Sequence, residues 1–387
     1  MNITILHNAY QQAGGEDVVV KAEVELLIDA GHNVHLEEVS NFAIRSPLDK
    51  VGTFLRAPYD SSRRNWALEL FTHTQPDIVH VHNFFPLLTL AVHDAARQYG
   101  AGVVQTLHNY RVICAAATLL REGKPCEACI GGSRHWGVLH RCYRGSIAGS
   151  LAVTRMQERI HRRPDTWQRH VDCFIALTEF ARAKFAAAGL PAERIVVKPN
   201  FASTRQQQNH ARNGGLYVGR LAPEKGVGTL LAAWSSLPDV PLTIVGDGPE
   251  REALTAAAPP NVRFLGSLPS AGVAELMDRS AFLIVPSHWY EGFPMVVVEA
   301  FAAGLPVLAS QLGALAEIVS DGINGRHFLP SDGSSLAGTV RETLREPGLL
   351  VRLGEGARQT FAARYTPADN LKQLEAIYSR ALLARAS

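Results

Sequence analysis

Short apolar runs alternate along the chain with longer amphipathic stretches. Residues 3–7, 77–82, 103–108, 172–177 and 195–197 are brief enough to be strands buried on both faces, and 34–36 reads as one more. Between them, 18–30, closed by Gly31, and 91–99 carry apolar residues at helical spacing. Strand and helix in turn predict an α/β fold with a parallel, doubly wound sheet. Residues 201–215 break the rhythm. They hold Ser203, Thr204, Gln206, Gln207, Gln208, Asn209, Asn213 and two glycines, and a domain boundary is expected there. The pattern restarts at 216–219, 242–246, 262–265, 282–286 and 306–308, predicting a second sheet of the same kind. In the tail, Leu371, Leu374, Ile377, Tyr378 and Leu382 fall on one helical face. The division this implies is 1–205, 212–368 and a last segment, 369–387.

Composition narrows the picture. A length of 387 residues suits two domains, and 47% hydrophobic residues suffice for two cores. A formal charge of +2 predicts no strong field and no nucleic-acid partner, because no binding motif accompanies it. No apolar stretch reaches the roughly 20 clean residues of a membrane span. The N-terminus lacks the basic start of a signal peptide and reads as a first buried strand. A cytoplasmic location is the default expectation. Between Arg134 and His170 the chain is rich in Arg and His, including Arg141, Arg144, Arg155, Arg159, Arg162 and Arg163. Such a patch suits a solvated face, or peripheral contact with an anionic membrane or lipid-diphosphate acceptor.

The chemistry concentrates in Glu291-Gly292-Phe293-Pro294-Met295, followed by three valines and Glu299. The segment joins a predicted strand end to a helix stopped by Gly304, with Pro294 near the first helical position. Ligands of open α/β sheets bind at that edge. Carboxylates there, being pure acceptors, can hold several hydroxyls of a sugar or ribose. Gly219-Arg220-Leu221 with Lys225-Gly226 follows the first strand of the second half. Arg offers a bidentate fork to phosphate and Lys a compact cation.

Together these segments resemble the retaining glycosyltransferases of the GT-B fold, family four or group 1. The resemblance covers nearly the whole chain and is strongest from Gly219 to Gly325. It implies two Rossmann-like domains facing across a cleft, an N-terminal acceptor-side domain, a nucleotide-sugar donor domain, and a last helix packed back on the first domain. It implies that Glu291 lies by the donor sugar and diphosphate and that Glu299 holds the ribose. Arg220 and Lys225 would neutralise the departing diphosphate. Gly219, Gly292, Phe293, Pro294 and Met295 would line the donor site, and Leu265 would stand where backbone groups hold the nucleobase, leaving UDP and GDP both open. His108, in Thr106-Leu107-His108-Asn109-Tyr110, would touch the donor sugar. Gly14 and Gly15 follow the first strand, either as an ordinary turn or as a donor-phosphate loop. Val245-Gly246-Asp247-Gly248-Pro249 reads equally as a ligand-approach loop or a tight turn. His80, His82 and Asn83 form an acceptor wall or are satisfied structural groups.

The implied function is transfer of a hexosyl group from a nucleotide diphosphate to a glycan or lipid-linked acceptor, as in polysaccharide assembly. Retention without a carboxylate nucleophile implies reaction on one face. No Asp-x-Asp of the metal-dependent transferase fold occurs, so no catalytic metal is expected. Two rivals are a GT-B sugar-nucleotide epimerase, which needs no acceptor, and a non-catalytic nucleotide-sugar-binding subunit. Intact Arg220, Lys225, Glu291 and Glu299 speak against the latter.

Four of the five cysteines fall in the insert at about 111–145: Cys114, Cys126, Cys129 and Cys142. Cys126 and Cys129 make one C-x-x-C, half of a zinc knuckle, and four thiolates suit tetrahedral zinc. A structural zinc is one expectation; thiols in a compact loop or a redox pair are the others. Cys173, inside a predicted strand, is expected in the core.

Overall fold

The structure, a computed structural model, describes residues 1–9, 14–162, 167–205 and 211–386. The chain divides into two units. Unit 1 comprises Met1–Leu119, Cys126–Asn200 and Asn370–Ser387; unit 2 comprises Leu120–Pro125 and Phe201–Asp369. The division falls at Asn200, earlier than the polar stretch suggested. Phe201 and Ala202 are buried, and Gly215 already belongs to a strand. Gln206, Gln207, Gln208 and Asn209 lie outside the described residues, as does Arg163.

Unit 1 holds six parallel strands: β1 (Asn2–Ala9), β2 (Asn33–Ser40), β3 (Ile78–Asn83), β4 (Gly102–Leu107), β5 (Cys173–Ala176) and β6 (Ile195–Val197). Their order is β2-β1-β3-β4-β5-β6. β3, β4 and β5 are buried at every position; β5 reads as an apolar run, while β3 and β4 bury His80, His82, Asn83, Gln105 and Thr106 as hydrogen-bonded groups. Helix Gly15–Asp29 begins three residues before its apolar face does, because Asp17 caps it by accepting from the Gly14 N–H. The core joins Ile3, Ile5, Val20, Leu27, Ile78, Val104, Cys173 and Ile175 to Leu374, Ile377, Tyr378 and Ala381 of the last helix, Pro367–Ala386. Gly102 permits that approach: a Cβ there would stand 2.8 Å from Ile78 Cδ1 and 3.4 Å from the Ala381 backbone.

Unit 2 repeats the plan with β7 (Gly215–Val218), β8 (Leu242–Val245), β9 (Val262–Gly266), β10 (Phe282–Val285), β11 (Val307–Ser310) and β12 (Gly325–Phe328). All pairs are parallel, in the order β9-β8-β7-β10-β11-β12. The order reverses between β7 and β10, the topological switch point where such sheets take ligands. Helix Met295–Ala302 follows β10 despite three consecutive valines. Burial of Val297, Val298, Ala300 and Phe301 outweighs the weak helix propensity of branched residues. It ends in a Schellman cap: Leu305 N–H donates to Ala300 O at 2.8 Å and Gly304 N–H to Phe301 O at 2.9 Å. Two parallel, doubly wound units of this kind are what the GT-B expectation required of each half.

Among the described residues no helix is long and apolar enough to cross a membrane.

Candidate functional site

The loops leaving β7 and β10 at the switch point are knitted together. His288 N–H donates to Glu224 O at 2.9 Å. Gly226, at φ +72°, lies so close to the second loop that a Cβ would stand 1.9 Å from Pro286 O. No side chain fits there, which accounts for the glycine after Lys225. That contact aims Lys225 at Glu291. Its Nζ donates to Oε1 at 2.8 Å and Oε2 at 3.1 Å, and Ser287 Oγ donates to Oε1 at 2.6 Å. The Lys225 ammonium also sits 5.3 Å from the Trp289 ring centre. Glu291 is only 5% exposed, so a carboxylate with a cation and a hydroxyl on it lies almost out of water. Arg220 is not part of this group. Its side chain is 58% exposed and pairs with Glu224 at 2.5 Å.

Pro294 occupies the cap position before helix Met295–Ala302, so Met295, not Pro294, is the first helical residue. Val297 N–H already bonds to Pro294 O, and no side chain caps this helix. The N–H groups of Met295 and Val296, in the uncapped first turn, are the donors that an anion at this helix start would meet. Phe293 itself packs edge-on against Tyr365. One turn along, Glu299 is largely buried. Burial raises its carboxyl above the ordinary value, with Arg205 pulling the other way. A desolvated carboxylate of this kind gains from any hydroxyl donor brought to it.

Gly246 and Gly248 have a structural reason to be glycine. A Cβ on Gly246 would stand 1.9 Å from Gly219 O, and one on Gly248 2.3 Å from Leu221 O. Gly219 N–H donates to Val245 O, Leu221 N–H to Asp247 O and Gly246 N–H to Gly266 O. The V-G-x-G-P turn thus supports the loop of Gly219 and Arg220 from behind, and links it to the end of β9 that carries Leu265.

In unit 1 the residues singled out by sequence form part of a buried polar network. His82 Nδ1 lies 2.9 Å from His108 Nε2, and the two rings stack at 5.1 Å. His80 bonds Tyr378 Oη at 2.9 Å and Thr106 Oγ1 at 2.8 Å. Asn83 donates to Asn8 O and accepts from Phe85 N–H. These three are hydrogen-bonded, buried groups. Sequence reading missed the network's charged end. Lys198, fully buried, donates to Glu23 Oε1 at 2.6 Å, and Glu23 Oε2 faces His82 Nε2 at 3.6 Å. A signal existed: Glu23 interrupts the apolar stripe of Val20 and Leu27 on its helix. Glu23, His80 and His82 offer atoms within 4.8 Å of one another, but the Lys198 ammonium already holds Glu23, and both His80 nitrogens are bonded.

This arrangement sets the state of His108. His82 Nε2 stands 3.6 Å from Glu23 Oε2, beyond hydrogen-bond distance, while its Nδ1 shares one proton with His108 Nε2. Burial, with help from His7 and Lys198, pushes the His108 pKa down to about 3, so the ring is neutral at physiological pH. Near Gly14, Asp17 bridges the Gly14 N–H at 2.7 Å and His7 Nε2 at 2.7 Å. The first turn thus carries Glu16 and Asp17, and an anion at this helix start would meet both acids. Of the basic stretch, Arg159 lies over the Tyr59 ring and Arg134 donates to Ala188 O, while Arg155 is exposed.

Two family models account for most of the chain. One described as "Glycosyl transferase 4-like domain" matches residues 13–200, and one described as "Glycosyl transferases group 1" matches 201–360. A glycogen synthase of Mycobacterium tuberculosis is 37% identical over 174 residues, 43% of this chain. That match spans only 41% of the relative's length. A phosphatidyl-myo-inositol mannosyltransferase of Mycolicibacterium smegmatis is 28% identical over 90% of this chain and 86% of its own. The fold is shared with a sucrose-phosphate synthase of Thermosynechococcus elongatus, at TM-score 0.73 and 19% identity over the whole of both chains. It is also shared with Anabaena HepE, solved with UDP, at TM-score 0.70 and 18% identity over 98% of this chain and 100% of that one.

Proposed function

Because the chain belongs to the group 1 glycosyl transferases of GT-B fold, we propose that it transfers a hexosyl group from a nucleotide diphosphate to a carbohydrate or lipid-linked acceptor, with retention. The observation that carries this reading is the Lys225–Glu291–Ser287 group at the switch point of unit 2, with the desolvated Glu299 in the helix that follows Glu291. A diphosphate competes with Glu291 for Lys225, and the uncapped N–H groups of Met295 and Val296 receive its oxygens. Glu291, released from Lys225, accepts hydroxyls of the sugar, and Glu299 accepts those of the ribose. As the glycosidic bond breaks, charge develops on the diphosphate. Lys225 neutralises it, joined by Arg220 once its side chain leaves Glu224, so no catalytic metal is required. His108, held neutral, hydrogen-bonds the donor sugar and takes no part in proton transfer. Reaction occurs on one face of the sugar, Glu291 acting through hydrogen bonds and charge. UDP, found with the HepE fold relative, is the first donor nucleotide to try.

Thermal shift with UDP, GDP, ADP and dTDP, each near a hundred times its dissociation constant, tests the reading. One nucleotide should stabilise the protein by about 2.7 kcal/mol, and Glu299→Ala should abolish the gain. No shift with any of them refutes it.

A further inference from the structure

The insert that follows His108 is largely buried from Val112 to Leu119, but its longer second part lacks a core of its own. Across residues 126–146 the one buried residue is Gly137, and within unit 1 the one regular element between Val112 and Ile147 is the four-residue helix Trp136–Leu139. Five of the eight non-glycine residues at positive φ among the described residues belong to the insert: Ala117, Leu119, Glu122, Arg141 and Arg144. Left-handed backbone at non-glycine residues costs energy; Ala117 and Leu119 are buried and can offset it, but Glu122, Arg141 and Arg144 are exposed, in the part of the insert that buries almost nothing. Something other than apolar packing must hold this chain in place.

The four cysteines of the insert meet around Gly137. The Gly137 N–H donates to the Cys129 sulfur, and Gly137 O accepts from Cys142 N–H at 2.9 Å. A Cβ on Gly137 would stand 2.8 Å from Ala115 Cβ, which places the neighbouring Cys114 on the same hub. Cys126, three residues before Cys129, has its N–H on Leu119 O at 2.7 Å, so the C-x-x-C turn is anchored to the strand of chain that follows Cys114. After the turn come Gly131, at φ +70°, and Gly132, where a Cβ would stand 2.5 Å from Ala128 O. Two glycines thus allow the chain to fold back over the turn, and Lys184 clamps it from outside by donating to Glu127 at 2.7 Å. Cys129 lies within electrostatic reach of all three other insert thiols. The five cysteines of the chain are thiols, and the fifth, Cys173, is a core residue of β5.

We propose that Cys114, Cys126, Cys129 and Cys142 bind one structural zinc ion as a four-thiolate site that fastens the insert to the end of β4. One pair on a C-x-x-C turn and two on separate loops, all within electrostatic reach of Cys129, supply the four thiolates that tetrahedral zinc takes in closed sites, although no three of these sulfurs stand within 4.8 Å of one another until a metal draws them in. Binding releases the thiol protons and draws the sulfurs inward, replacing the missing core with metal–sulfur bonds. Cys114 stands six residues after His108. The ion therefore fixes the length of free chain between the strand end and the insert. This inference does not depend on the transferase reading.

The test uses full-length, untagged protein. Elemental analysis should find about one zinc per chain. Ellman's reagent should leave the insert thiols unmodified until an organomercurial releases the metal, when four thiols react and Cys173, buried at 0% exposure, stays silent without denaturant. Cobalt replacing zinc should show thiolate-to-metal charge transfer together with the visible bands of a tetrahedral ion. That spectrum needs no variant and distinguishes this site from the histidines and Glu23 of unit 1. Cys129→Ser should lose the metal, while Cys173→Ser keeps it. Under about a tenth of an equivalent of zinc with all four thiols reactive overturns the proposal. So does a Cys126–Cys129 disulfide in the native protein, or a cobalt spectrum without thiolate charge transfer.

Discussion

Replacing Lys225 by methionine should cost more stability than replacing both Lys225 and its partner. The ammonium lies 2.8 and 3.1 Å from the two oxygens of a carboxylate that is 5% exposed. Lys225→Met removes the charge and retains the stem, leaving Glu291 with the Ser287 hydroxyl alone. Stranding a buried charge costs about 3–5 kcal/mol, and the Lys225 side chain is a quarter exposed, so water takes the figure to about 2–3 kcal/mol. Lys225→Met/Glu291→Gln removes the stranded charge and should recover about 2 kcal/mol of that loss. The two units can unfold separately, so a whole-protein melt blurs the result. Hydrogen exchange in peptides from β7, β10 and helix Met295–Ala302 reads the affected unit directly. Wild type, both single variants and the double variant complete the cycle. A coupling under about 0.5 kcal/mol would refute the argument, placing the pair among exposed ion pairs that contribute little.

Further expectations follow from neighbouring groups. Gly246→Ala should destabilise unit 2 by about 3 kcal/mol, since its Cβ would meet Gly219 O at 1.9 Å; a shift below about 1 kcal/mol in urea denaturation would contradict the supporting role given to that turn. Glu299 has a folded-state pKa raised by burial, so as pH rises through its ordinary value of 4.5 the unfolded chain loses its proton first and stability falls, the full penalty being present above the folded value. Glu299→Gln should therefore raise the melting temperature at neutral pH and leave it unchanged below the ordinary value, while weakening nucleotide binding; equal effects at both pH values would show that the carboxyl is not desolvated. With its pKa near 3, His108 should contribute no limb to the pH–rate profile between about pH 5 and 8. A limb in that range that His108→Gln removes would contradict the neutral assignment.

The parallel sheets were legible because buried strands leave short apolar runs, and 282–286 and 172–177 are of that kind. The loop of Lys225 and Gly226 was legible as chemistry, because cations and glycine after a strand end point to phosphate. Its internal pairing was not: nothing in local order says that Lys225 would turn to Glu291 while Arg220 turned to Glu224. That choice is made by the Gly226–Pro286 contact, sixty residues apart in sequence. The role of Gly246 was likewise open until the carbonyl of Gly219 was found against it. Lys198 was invisible for a different reason. A lysine after a strand normally reads as solvated, and only its meeting with Glu23, 175 residues away, takes it out of water.

The last helix has a consequence for synthesis. Leu374, Ile377, Tyr378 and Ala381 complete the core of unit 1, and Tyr378 holds His80, yet they are made only after nearly all of unit 2. All of 201–369 must leave the ribosome before them, on the order of ten seconds at about 5–20 residues per second. During that interval the first sheet stands with one apolar face uncovered. Unit 2, continuous from Phe201 to Asp369 apart from a short hairpin, can finish first, so unit 1 starts before it and is completed after it. A nascent chain stalled before Asn370 should therefore bind chaperones through its oldest residues, and release from them should coincide with the arrival of the final helix.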